Sequence, residues 1–173
     1  METTTRERSW LVLALLAAGV LSRLVPHPPN VTPLTAIALF GATYLSRRWG
    51  ILLPLAIVMI SDAFLGGDWL LVFNWTAFAL VGLLAGRIRR HPAPGRILST
   101  TLIGSLLFFL VTNFGVWLGS GMYPHTAAGA QHCFIAALPF FRNMVAGDLV
   151  YTAALFTGYA LLRRAAIART AGS

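Results

Sequence analysis

Apolar residues run along this chain in six long blocks, at roughly positions 10–25, 34–46, 50–65, 69–86, 97–118 and 144–162, with short polar stretches between them. A helix that crosses a bilayer needs about 20 mostly apolar residues. The pattern therefore predicts an all-α integral membrane protein, six transmembrane helices forming one domain over residues 1–173. Several blocks are short against a hydrocarbon core of about 30 Å. Their polar ends must then snorkel, neighbouring helices must bury them, or the bilayer must thin locally.

A further apolar run, residues 127–141, breaks the pattern: Pro139 interrupts it, and Arg142, Asn143 and Asp148 follow at once. It is too short to span. It is expected to form a re-entrant or lid helix in the last outer loop, residues 119–142, ahead of the last span. Residues 10–20, behind Arg6 and Arg8, imitate a secretory signal but offer no convincing cleavage site, so they are read as a retained first helix.

The arginines test this count, because cytoplasmic loops carry the excess of basic residues. With six spans, Arg6, Arg8, Arg47, Arg48, Arg87, Arg89, Arg90, Arg96, Arg163, Arg164 and Arg169 all fall on one side, with Arg23 and Arg142 as the exceptions. A seventh span through residues 127–141 would move the C-terminal arginines across and weaken that bias. Both termini are therefore expected in the cytoplasm, with the chain crossing the membrane several times.

Composition agrees: 57% hydrophobic residues, 10% charged residues and a mean hydropathy of +0.75 leave too little polar surface to coat a soluble globule. The net charge of +8 does not point to nucleic acid, because the basic residues sit in short clusters between apolar blocks. The single cysteine, Cys133, excludes an intramolecular disulfide.

Polar chemistry gathers at the outer ends of the predicted spans, with Asp62, Asp68 and Asp148, His27, His125 and His132, and Asn30, Asn74, Asn113 and Asn143 all there. Asp148 is the strongest signal. It lies about 8 Å along a helix from Asn143, where a carboxylate costs up to about 2.5–3.5 kcal/mol at mid-membrane and normally faces a partner or a wet cavity. Tyr151 and Thr152 share its helical face. Two readings of Asp148 are open, a ligand contact or an internal ion pair with Arg23 or Arg142.

Similar pairs of readings attend the other candidates. Residues 26–33, PHPPNVTP, form a stiff loop, either a rigid linker or a pre-shaped wall presenting His27 and Asn30, with Asn30 or Thr32 available to cap the second helix. Asp62 follows an unbroken apolar run and is a pocket candidate, whereas Asp68, beside Gly66 and Gly67, reads most simply as a solvated or capping residue. Asn113 lies within a span and either binds ligand or joins helices. Asn74 and Trp75 open the fourth span; Trp69, Trp75 and Trp117 are interface anchors or stacking surfaces for a flat ligand.

No catalytic constellation or metal site is expected. His125, His132 and Cys133 have no ligand spacing, Ser120 and His125 lack a third group, and nucleotide-binding loops and zinc-hydrolase motifs are absent. No cofactor is implied. In the first span Ala14 and Ala18 make a small-xxx-small face, for packing within the bundle or for docking another membrane subunit.

The segments PHPPNVTPLTAIALFGA, LPLAIVMISDAFLG, VTNFGVWL, MYP and AALPFFRNMVAGDLVY, which cover nearly the whole chain, resemble an uncharacterised bacterial family of membrane transport proteins. That family is related to the substrate-binding S components of energy-coupling factor (ECF) vitamin transporters. The resemblance implies a six-helix subunit that captures a vitamin, a precursor or in some cases a metal ion in the outer half of its bundle. It also implies outer loops that close over the ligand, and partners in the form of a membrane-coupling subunit and cytoplasmic ATPases, with Ala14 and Ala18 at the coupling contact. The expected pocket groups are Asp148, Asn143, Asn113, Asp62, Asn74, Asn30 and His27, with Trp117, Tyr151 and Arg142 nearby. The alternative is a non-transporting membrane scaffold with a buried structural polar network.

Overall fold

The computed structural model describes residues 5–67, 69–88 and 92–171; Asp68, Arg89 and Arg90 lie outside them. Among the described residues the regular structure is entirely helical. The elements are α1 (Thr5–Leu24), α2 (Leu34–Phe40) continued by a π-helical turn (Gly41–Leu45), α3 (Arg47–Leu65), α4 (Leu71–Ala85), α5 (Pro94–Gly119), α6 (Ala127–Ala136) and α7 (Leu138–Ala171). Three of them, Arg47–Leu65, Pro94–Gly119 and Leu138–Arg169, are long and apolar enough to cross a membrane. Large apolar side chains such as Trp10, Phe64, Val150 and Leu162 stand more than half exposed, the surface a bilayer would cover rather than water.

At the centre stands α2. All seven of its residues are buried, and a helix apolar on every side belongs in a core. Helices α3, α4, α5 and α7 surround it, with Leu34, Ile37, Leu39 and Phe40 set against Leu53, Ile57, Val81 and Phe156 in one cluster. Below it, Tyr44 of the π turn meets Tyr159 at 4.3 Å between ring centroids and Phe156 at 5.6 Å. These rings tie the lower end of the central post to α7.

Helix α3 meets α4 along a seam of small residues. Pro54 lies inside α3 and has no N–H to offer the Gly50 carbonyl one turn earlier. Gly82 of α4 packs directly on that carbonyl, so close that a Cβ at position 82 would collide with it. Ala42 approaches Gly50 from the π turn, which gives three backbones at one point.

The segment expected to form a lid differs in detail from expectation. Pro139 does not break the chain into loop; it occupies the first turn of α7, where its missing N–H would be unbonded in any case. The long helix therefore begins at Leu138, and Arg142 and Asn143 are helical. Only residues 127–136 form a separate short helix. Thr126 caps α6 by accepting a hydrogen bond from the Gly129 N–H at 3.1 Å. Neither Asn30 nor Thr32 caps α2, whose N-terminal flanking residue is Pro33, with no side-chain cap.

Candidate functional site

The C-terminal ends of α1, α3 and α5 and the N-terminal ends of α2, α4 and α7 converge at one end of the bundle, so these six helices alternate in direction. Between them lies a cavity of about 410 Å³, within the range of about 300–1,000 Å³ typical of small-molecule pockets. Charged and polar groups enter it from six elements: Arg23 from α1, His27, Asn30 and Thr32 from the proline-rich loop, Thr35 from α2, Asn74 from α4, Thr112 and Asn113 from α5, and Asp148 from α7. Phe78, Phe108 and Phe140 supply flat apolar wall. The Phe78 and Phe108 rings lie 4.6 Å apart.

Asp148 is only 3% exposed. Its Oδ2 accepts a hydrogen bond from Ser105 Oγ at 2.6 Å, and the Thr35 hydroxyl lies near the same carboxylate. The two hydroxyls come from neighbouring helices, so α2, α5 and α7 share one polar node. Beneath it Thr101 Oγ1 and Thr152 Oγ1 stand 3.5 Å apart, each one helical turn from Ser105 and Asp148. This hydroxyl ladder runs toward a second groove, about 480 Å³, whose wall includes Tyr44, Thr101, Thr152 and Arg164.

Of the two ion-pair partners weighed for Asp148, neither is used. Arg23 Nη2 instead donates to Asp62 Oδ1 at 2.7 Å, and Trp75 Nε1 donates to Asp62 Oδ2 at 3.2 Å. Asp62 is thus neutralised behind the cavity wall rather than lining the cavity. The arginine reaches Asp62 through Nη2 alone, and Arg23 Nη1 remains buried without a partner.

The expected residues divide accordingly. Asp148, Asn113, Asn74, Asn30 and His27 line the cavity; Asn143, Asp62, Trp117, Tyr151 and Arg142 do not. Arg142 is exposed and Asn143 half-buried on α7, where the buried face of the first turns belongs to Met144, Gly147 and Asp148. Tyr151 lies beside that face, and Thr152, a full turn from Asp148, is the buried one. Trp117 instead braces the connection between α5 and α6: its Nε1 donates to the Pro124 carbonyl at 3.1 Å and its ring meets His125 at 5.8 Å. The segment read as a lid contributes Phe140 alone. Helix α6 lies against α5, with Phe134 on Phe109 at 5.7 Å and Cys133 Sγ 3.5 Å from the Asn113 carbonyl.

Arg23, Thr32, Thr35 and Thr112 also reach the cavity, although the sequence did not mark them as pocket groups. Arg23 did leave a signal, as an exception to the arginine asymmetry. The threonines left none, because a helical hydroxyl can bond its own backbone, as Thr112 does to the Phe108 carbonyl at 2.9 Å. Among the described residues no group of three or more His, Cys, Asp or Glu side chains is placed to hold a metal ion. Ala14 and Ala18 lie on the exposed face of α1, opposite buried Leu15 and Gly19.

Comparison with known proteins matches residues 3–170 to the model of a family of unknown function, DUF6580. No curated protein matches the chain, and no solved structure does.

Proposed function

The chain belongs to this family of unknown function, and we propose, from its cavity and its likeness to ECF S components, that it is the substrate-binding subunit of a membrane transporter. It captures a small polar molecule, such as a vitamin or precursor, at the outer end of a six-helix bundle. In this reading α1, α2 with its π turn, α3, α4, α5 and α7 cross the bacterial cytoplasmic membrane, and both termini lie inside. The observation that carries the reading is Asp148: a buried carboxylate with no cationic partner among the described residues, at the floor of a cavity rimmed by amides. Buried charges are ordinarily paired, and ionisable groups within membranes mark ligand or ion paths.

Gating falls to the loops. The proline-rich segment that presents His27, Asn30 and Thr32 and the α3–α4 turn at Gly66 and Gly67 are short connections over a packed bundle, and such elements can move while helices stay fixed. Energy has to come from other chains, a coupling subunit and cytoplasmic ATPases, because no nucleotide motif is present. The exposed Ala14 and Ala18 face of α1 is the docking surface in this proposal.

A second reading, a membrane scaffold with a structural polar network, draws on the Arg23–Asp62–Trp75 cluster, which joins three helices without needing a ligand. Native mass spectrometry of protein purified mildly from its own host decides between them. The capture reading expects a retained small molecule of defined mass that is lost in Asp148→Asn and Asn113→Ala. A chain that stays bare after incubation with a vitamin and metal panel, but carries a stoichiometric protein partner, would establish the scaffold instead.

A further inference from the structure

We infer that the cavity takes a flat organic cation, a ring bearing a protonated nitrogen with several N–H donors, with Asp148 as its counter-charge. The inference rests on the capture reading and adds the chemical class of the ligand.

Charge is the first argument. Among the described residues, Arg23, His27 and Asp148 are the titratable groups on the cavity wall. Arg23 is paired with Asp62 at 2.7 Å, and Trp75 donates to the other carboxylate oxygen, so that pair is neutral as a unit and keeps one unused donor, Arg23 Nη1. Asp148 accepts from the Ser105 hydroxyl, with the Thr35 hydroxyl near it, and among the described residues no cation pairs with it. Neutral hydroxyls offset part of the cost of burying a carboxylate but supply no opposite charge. Asp148 is left without a counter-charge of its own, and a ligand can bring it.

Hydrogen-bonding capacity points the same way. Asn113 Nδ2 gives one of its two N–H groups to the Phe109 carbonyl at 2.8 Å, which leaves the amide oxygen as an acceptor beside one remaining N–H. Thr112 spends its proton on the Phe108 carbonyl and likewise retains lone pairs. With the carboxylate, these make a floor and wall rich in acceptors, which a ligand with N–H donors satisfies.

Shape is the third argument. Phe78, Phe108 and Phe140 surround the same space, and ring faces attract both cations and flat rings. A bare metal ion would leave most of about 410 Å³ empty, and among the described residues no cluster of metal-ligating side chains accompanies Asp148.

The test uses the full chain in detergent and three probes of one shape and different charge: benzamidinium, benzamide and benzoate. Equilibrium dialysis and thermal shift are expected to show benzamidinium bound at least ten-fold more tightly than benzamide, with benzoate weakest. Asp148→Asn should cut benzamidinium binding at least ten-fold and erase the preference. Asp148→Glu, which keeps the charge, should retain it and shows that the loss is not one of folding. Preference for benzoate, equal binding of all three, stabilisation by sodium or magnesium ions in place of benzamidinium, a preference that survives Asp148→Asn, or no binding by any probe would each overturn the inference. A molecule retained from the native host in the mass-spectrometric experiment would leave the capture reading standing in any of those cases.

Discussion

Arg23 of α1 and Asp62 of α3 meet at 2.7 Å, with side chains 19% and 5% exposed. Removing either partner strands the other charge in a place that water reaches poorly. Arg23→Gln and Asp62→Asn should each lower stability by about 3–5 kcal/mol, as breaking buried pairs does. The double variant Arg23→Gln with Asp62→Asn should lose less than the sum of the two, by about 0.5–3 kcal/mol. Thermal unfolding in detergent of the two single variants and the double variant measures the difference; strict additivity would mean that the pair contributes no coupling.

The α3–α4 seam permits a sharper steric test. At Gly82 any side chain meets the Gly50 carbonyl, a backbone atom that cannot swing aside. Gly82→Val should therefore cost about 1–3 kcal/mol or more through overpacking. At Gly158 of α7 an added Cβ meets nothing within 4 Å, and Gly158→Ala should stabilise by about 0.5–1 kcal/mol through lost chain entropy. Comparing the two melting temperatures tests whether the close approach is real.

Asn30 sits at φ 62°, the left-handed region, between Pro29 and Val31. A β-branched residue there should cost about 1–2 kcal/mol, so Asn30→Val is expected to unfold earlier than the wild type, and Asn30→Gly is not. The same glycine variant separates shape from contact. If it keeps its melting temperature but loses the retained small molecule, the Asn30 amide is a ligand group; if retention is unchanged, the residue serves only to turn the loop.

Cys133 reports on the α6 segment. Burial pushes its thiol above the ordinary range, so the folded chain holds this proton at pH values where the unfolded chain has released it. The corresponding stability is fully present below about pH 8.5, the ordinary thiol value, and declines as pH rises toward the folded value. The denaturation midpoint should therefore fall between pH 8 and 10, and should fall less in Cys133→Ala. Alkylation by N-ethylmaleimide should likewise be slow in the folded chain and rapid once α6 lifts from α5.

Much of the helical frame was legible in the sequence because unbroken apolar runs leave few alternatives. Each of the six blocks corresponds to a helix, and the block at 34–46 is the one whose shortness forced its burial. Chain ends of helices were less legible: Pro139 reads as a breaker, yet at the first turn of a helix it costs nothing. In the site, Asp148, Asn113 and Asn74 stood out because a carboxylate or amide in an apolar run needs a reason. Ser105 and Thr35 did not, since a small hydroxyl in an apolar helix can be satisfied by its own backbone and leaves no mark. Arg142, Asn143 and Tyr151 were misplaced by proximity along the chain, because neighbours in sequence on a helix point in different directions. The pairing of Arg23 with Asp62 rather than Asp148 depends on which helices touch, and no single segment carries that information.

The central post is shorter than the wall around it. From Leu34 to Leu45 the α2 segment with its π turn rises at most about 18 Å at 1.5 Å per residue, whereas the hydrocarbon layer is about 30 Å deep. Walled in by protein on its sides, the post starts at Leu34 and Thr35, and the cavity stands over that first turn. Adding a turn at the start of α2 would then fill the cavity from below, so that the length of one buried helix governs how much space stays open above it.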